Sequence, residues 1–305
     1  MELLEPIILS VLAASTPLLI AATGELVTER SGVLNLGVEG MMIVGAACAF
    51  GGAWLTGSII VGAILGIVAG ALMSLIFALM ALGLAVNQVA TGLALTILGI
   101  GVSGLIGAGF VGERITPAPH LYIPGLTDIP FIGRILFGED AFVYLSLALL
   151  IGVWFFLYRT RGGLILRAAG DNHVSAHALG YPVLRIRLYA VIFGGACAGL
   201  AGAYLPLAYT PFFIPGMTAG RGWIALALVV FASWRPGRLA IGAYLFGAVT
   251  ILQLHVQAFG LGIPSQFMSS LPYLATVIVL VLISRARTGG STAPAALGNT
   301  FVPDR

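Results

Sequence analysis

The sequence predicts an all-α polytopic membrane protein of about nine (8–10) transmembrane helices, in two inverted repeats with broken or re-entrant helices. Three observations carry this. Hydrophobic residues make up 59% of the 305 positions and charged residues only 8%, with a mean hydropathy of +1.08; a soluble domain carries about 25% charged residues. Apolar runs near the length of a bilayer crossing recur along the chain. All 14 basic residues are Arg, and they gather in a few turns rather than on one continuous face.

The runs place spans near 7–23, 38–52, 58–82, 87–110, 141–158, 188–208, 222–234, 239–258 and 271–284. The run 222–234 is short for a crossing and needs its neighbours to complete one. Orientation follows from the basic turns. Arg159, Arg161, Arg167, Arg185 and Arg187 fall in the polar stretch 159–187, which is set in the cytoplasm. Counting outward, Arg235, Arg238, Arg285 and Arg287 also fall inside. The segment 111–140, with Glu113, Asp128, Glu139 and Asp140, falls outside, and so does the N-terminal end with Glu2 and Glu5. The expected topology is N-out and C-in. The first apolar run follows Glu residues instead of a basic region and reads as a span, not a cleaved leader.

Four spans, one separator and four spans give the repeat: about 7–110, the linking span 141–158, the loop 159–187, and 188–285. An odd separator inverts the second half. Gly62, Gly66 and Gly70, and Gly195, Gly199 and Gly202, make small-residue faces. Lipid provides no hydrophobic drive between helices, so close backbone approach has to hold them together. Packing within the chain is the favoured reading of these faces. Residues 1–285 are read as one transmembrane domain and 286–305 as a disordered cytoplasmic tail.

Polar residues inside apolar runs mark the candidate substrate route. SGVLNLGVEG (Ser31 to Gly40) holds Asn35 and Glu39 among glycines. A carboxylate in a membrane helix is costly, and the glycines point to a broken helix. Two readings stand: Glu39 solvated at the cytoplasmic interface, or Glu39 lining the route. Aligning the halves sets Arg221 opposite Glu39, each just before a Gly. Asn87, Gln88 and Thr91 open the fourth span and can bond across helices or to a ligand. Phe212, Phe213 and Trp223 flank Arg221 and can stack on a flat ligand or form an interfacial belt.

The loop 159–187 holds a short helix over 172–179. Asp171 or Asn172 caps it, and Gly180 and Pro182 stop it. His173 and His177 share a face, but with no acidic residue for HExxH and no third ligand they are not read as a metal site. No Lys exists for a Walker A motif or a Schiff base. Cys48 and Cys197 read as free thiols within helices. No nucleophile–base set or paired carboxylates can be recognised, so the chain is not read as an enzyme, nor as a nucleic-acid binder.

ERSGVLNLGVEGMM (Glu29 to Met42), VNQVATGLAL (Val86 to Leu95) and RAAGDNHVSAHALGYPVLRIR (Arg167 to Arg187) resemble permease subunits of bacterial ABC importers. The group is the branched-chain amino acid and ribose permeases, and the first motif resembles its nucleoside-type branch, which works with a basic-membrane-protein-type receptor. The resemblance covers nearly the whole chain. It implies that 172–179 is a coupling helix seated in a cytoplasmic ATP-binding subunit, with Gly170, Asp171, Asn172, Ala176, Leu179 and Gly180 at the contact; His173 and His177 depart from the family's commoner residues. It also implies a second, homologous permease, an extracytoplasmic substrate-binding protein, a nucleoside-like solute, and a multi-pass place in the bacterial inner membrane. No cofactor is expected in this chain, since ATP would sit on the partner subunit. Riboflavin, a sugar or an amino acid is the alternative cargo. A stand-alone secondary transporter or channel is the alternative class.

Overall fold

The computed structural model describes residues 4–129, 132–258, 293–302 and a few positions between 267 and 281. The described residues are helical, with two isolated bridges, Arg114 to Phe212 and His120 to Asp140, as their only extended pairings. In order they form α1 (Leu4–Arg30), α2 (Val38–Thr56), α3 (Ile59–Ala78), α4 (Gln88–Gly107), α5 (Ile132–Phe137), α6 (Ala141–Arg159), α7 (Arg161–Asp171), α8 (His173–Ala178), α9 (Val183–Tyr204), α10 (Arg221–Phe231) and α11 (Pro236–Ala258). Wider π-turns, Leu79–Gly83 and Leu205–Tyr209, extend α3 and α9.

Seven of these helices are long and apolar enough to cross a membrane. They match seven of the nine expected spans. The eighth is α10, whose 11 residues rise only about 16 Å at 1.5 Å each, so it does not cross a bilayer alone. The ninth, 271–284, lies largely outside the described residues.

Helices α1, α2 and α9 form the buried centre, while α3 and α4 turn Ile60, Ile97 and Leu105 outward. Glycine sets how close the centre packs. A Cβ on Gly45 of α2 would stand 2.6 Å from the Cα of Gly199 in α9, and one on Gly66 of α3 would stand 2.7 Å from the Ala203 Cβ. Gly70 meets Gly195 and Gly199 in the same seam. The two glycine faces read in the sequence therefore pack against each other within one chain, backbone to backbone. Two hydroxyls of α1 are satisfied within the helix: Ser15 donates to the Val11 carbonyl at 2.6 Å and Thr16 to that of Leu12 at 2.8 Å.

Contacts sort the turns into two ends. At one, Glu5 pairs with Arg134 at 3.5 Å, Trp54 Nε1 donates to Glu113 at 3.3 Å, and Arg114 bridges Phe212. At the other, Arg30 donates to the Trp234 carbonyl from Nε (3.1 Å) and Nη2 (2.7 Å), beside α7, α8 and the 31–37 turn. The N-terminal end of α1 thus lies with the acidic 111–140 segment, and the basic turns collect opposite, as the charge pattern requires.

The 286–305 segment departs from expectation over 293–302. These residues are placed against the basic end. Ala296 N–H donates to the Gly170 carbonyl at 3.0 Å and Gly298 N–H to that of Gly32 at 3.1 Å. Ala296 is buried, and the Phe301 ring lies 5.1 Å from the His173 ring and 5.3 Å from that of His177. A composition poor in large apolar residues read as disorder; backbone hydrogen bonds to two glycine carbonyls and one aromatic anchor hold it in place.

Candidate functional site

The 31–37 turn breaks the path from α1 to α2. Gly32 takes φ +90°, a conformation that favours glycine. Asn35 Oδ1 accepts from Gly37 N–H at 2.9 Å, an Asx turn that leads into α2. In the first turn of α2, Glu39 is buried with three hydrogen bonds to its carboxylate. Oε1 accepts from the Thr218 hydroxyl (2.6 Å) and Gly220 N–H (2.9 Å), and Oε2 from Gly222 N–H (2.7 Å). Gly220 is the N-cap of α10, in the left-handed region at φ +81°. Glu39 therefore caps α10 from another helix, satisfying donors that the helix itself leaves free and placing negative charge at the positive end of its dipole. Gly222 has to be glycine for this approach, since a Cβ there would stand 2.5 Å from the Glu39 nitrogen.

The Glu39–Arg221 alignment read in the sequence does bring the two residues to one place, but not as an ion pair. Arg221 Nη1 donates to the carbonyls of Met217 (3.0 Å) and Thr218 (3.3 Å), and its guanidinium lies 5.9 Å from the Tyr209 ring. Arg221 closes the 217–221 loop on itself while Glu39 holds the loop from below.

Asn87 caps α4, its Oδ1 accepting from Ala90 N–H at 3.0 Å. Gln88 Oε1 accepts from Leu34 N–H at 2.8 Å, which ties α4 to the broken turn. Gln88 Nε2 and Thr91 Oγ1, on one face of α4, are buried with no hydrogen-bond partner among the described residues. Buried polar atoms are normally satisfied, and these two stand out against that rule. Phe213 is buried against Phe50 (6.3 Å between centroids) and Gly107, so its ring is already packed. Phe212 is half-buried and Trp223 is exposed.

The sequence reading passed over Glu25, Glu29 and Trp234. Glu29 Oε2 accepts from Trp234 Nε1 at 2.5 Å and Glu25 Oε1 from Asn35 N–H at 3.4 Å; Glu25 Oε2 and Glu29 Oε1 have no partner among the described residues. The signal was TGELVTER, two carboxyls four residues apart at the end of an apolar run.

On the basic side, α7 is capped by Thr160, whose Oγ1 accepts from Gly163 N–H at 3.1 Å. Asp171 ends α7 and is exposed; Asn172, not Asp171, caps α8, with Oδ1 accepting from Ser175 N–H at 2.9 Å. Gly180, at φ +87°, closes α8. Its N–H donates to the His177 carbonyl (2.8 Å), and Tyr181 N–H to that of Ala176 (3.1 Å), the paired bonds of a Schellman ending. Ala176 faces inward with Ala169 and Val183, while Val174 (64% exposed) and Leu179 (77% exposed) point away from the body. No group of three or more His, Cys, Asp or Glu among the described residues is placed to hold a metal.

Residues 7–286 match the family model described as the branched-chain amino acid transport system permease component. The chain belongs to this permease family. It is 42% identical, over 94% of each chain, to TsgC13, a Haloferax volcanii permease protein named for a glucose ABC transporter. It is 31% identical over 99% of its length, and 98% of the other, to the guanosine ABC transporter permease NupQ of Bacillus subtilis. The nucleoside ABC transporter permease NupC of Lactococcus lactis is 32% identical over the same shares. These relatives are transporter permease subunits, and with seven apolar helices the chain is a multi-pass membrane permease of the ABC class.

Proposed function

We propose that this permease imports a nucleoside-like solute across the cytoplasmic membrane, paired with a second homologous permease, an ATP-binding subunit and an extracytoplasmic binding protein. The observation that carries the coupling is α8. It is a helix capped at both ends, rooted through Ala176, and it presents Val174 and Leu179 outward on the side where the basic turns gather. Apolar side chains this exposed on a rigid support outside the bilayer call for a protein partner. The chain has no Lys for a Walker A motif, so ATP hydrolysis belongs to a separate subunit. Gly170, Asp171, Asn172, Ala176, Leu179 and Gly180 frame the contact.

In this reading the solute passes beside α4 and the start of α10. Gln88 and Thr91 offer it unpartnered polar atoms, and Trp223 and Phe212 offer aromatic faces. Asn35, Asn87, Glu39 and Arg221 hold the wall by fixing the two broken segments. The 31–37 and 210–220 breaks, each ahead of a helix, support an inverted repeat of about nine spans. ATP-driven movement of α8 would shift the two permeases between outward and inward openings, the solute contributing only its difference in affinity between them.

A sugar is the second reading, favoured by the 42% identity to a permease named for glucose. Proteoliposome uptake with the cognate binding protein decides between them. Accumulation of guanosine that excess glucose does not reduce is the expected result; glucose uptake that guanosine leaves untouched reverses the assignment.

A further inference from the structure

The 293–302 segment and Arg187 make a junction that the docking reading of α8 does not explain. Arg187 lies in the first turns of α9, is fully buried, and has no acidic partner among the described residues. Its Nε donates to the Ser31 carbonyl at 3.2 Å, Nη1 to the Asn299 carbonyl at 3.0 Å, and Nη2 lies 3.4 Å from His173 Nδ1. One guanidinium therefore touches the α1–α2 turn, the C-terminal segment and the first residue of α8. The segment repeats these links with its own backbone, through Ala296 to Gly170 and Gly298 to Gly32. Phe301 closes over both histidines of α8. On the far side of the turn, Leu34 N–H is held by Gln88 and Asn35 leads to Glu39.

We propose that residues 293–302, pinned by Arg187, are a positioning strap that fastens α8 to the 31–37 turn, so that movement of the docking helix is delivered to the Gln88 and Glu39 contacts. The rigid parts are short and joined by hydrogen bonds, and the Arg187 guanidinium of α9 bridges the first residue of α8 to the turn. Without the strap, α8 would still present Val174 and Leu179 but would rock on its Ala176 root. The proposal rests on α8 being the docking helix.

The test uses the whole complex, co-expressed with the ATP-binding subunit and second permease, in proteoliposomes. A chain ending at residue 292 and the full chain with Phe301→Ala are compared with wild type for complex assembly and for uptake per ATP hydrolysed. The solute is whichever of guanosine or glucose the wild type takes up. Assembly is expected to persist, while uptake per ATP falls about fivefold or more, the lower range of measured couplings between sites. Phe301→Tyr should restore it, which a general loss of folding would not allow.

If the truncated chain does not assemble, a cross-link answers instead. A Cβ on Gly298 would lie 3.9 Å from the Leu34 Cβ, within disulfide range; Gly298 takes φ +76°, a strained conformation for Cys, so the double variant is its own reference: Leu34→Cys with Gly298→Cys should close under oxidant in the assembled complex, with uptake per ATP no lower oxidised than reduced. Full uptake per ATP from Phe301→Ala, or a pair that fails to close once the ATP-binding subunit is bound, overturns the strap. A wild-type chain that recruits no ATP-binding subunit instead overturns the docking reading beneath it.

Discussion

Glu39 shows how much rests on one side chain. Its carboxylate answers three donors from the other half of the chain, of which Thr218 and Gly222 are buried and Gly220 is half-buried. Truncation leaves each donor unsatisfied, at about 1–3 kcal/mol apiece. Glu39→Ala should therefore destabilise the protein by about 2 kcal/mol or more from its two buried donors, read as a clear fall in the thermal midpoint of the detergent-purified chain. Glu39→Gln should cost less, because one oxygen can still serve Thr218 and Gly220. Equal midpoints for wild type and Glu39→Ala would remove the clasp.

His173 supplies a pH dependence at the same scale. Burial, and then the Arg187 guanidinium beside it, hold its pKa below the ordinary value of 6.5. The neutral ring suits the observed geometry, since Nδ1 can accept from Arg187. With the segment released, His173 takes up a proton more readily than with the segment docked over it, so docking strength is complete above the ordinary His range and is lost as pH falls from there through the lowered pKa. Amide exchange in 293–302 should be slower at pH 7.5 than at pH 5.5. The difference should shrink in His173→Asn; an unchanged profile in that variant would assign the pH effect to another group.

At the scale of elements, legibility followed locality. The seven long helices, the Asn172 cap and the Gly180 stop were readable because span length, cap chemistry and positive φ are local properties. The glycine faces were readable as packing surfaces, though not that Gly45 of α2 joins the Gly199 seam. The missed features are those made by residues far apart in sequence: Glu39 with 218–222, Arg187 with Ser31 and Asn299, and Glu29 with Trp234. Aromatic and polar types identified Phe213 and Asn35 as candidates, but a type does not say whether its ring or amide is already occupied by the protein. The helix α7 went unread because a basic, glycine-containing start resembles a loop until Thr160 and Gly163 are seen to cap and pack it. For α8, Ala176→Pro removes the N–H that donates to the Asn172 carbonyl at 3.0 Å, sets its ring against that carbonyl and breaks a six-residue helix. Membrane insertion should be retained and transport-linked ATP hydrolysis lost. Stimulation equal to wild type would show that this helix is not the transmitting element.

For the whole molecule, the sorting of contacts into an acidic and a basic end predicts sidedness. Cysteines placed at Leu164 or Leu179, both exposed, should react with a membrane-impermeant maleimide only after the cytoplasmic face is opened. One at Tyr122, exposed on the 111–140 segment, should react in intact spheroplasts. The central claim goes further than sidedness, because it says that α8 is gripped by a separate ATP-binding subunit. Site-specific cross-linking from Val174→Cys and Leu179→Cys in the assembled transporter tests it most directly. The account predicts adducts with the ATP-binding subunit from both positions and none from a control at Tyr122→Cys; labelling of α8 from the outer face, or a free α8 with no adduct in a transporting complex, would contradict it.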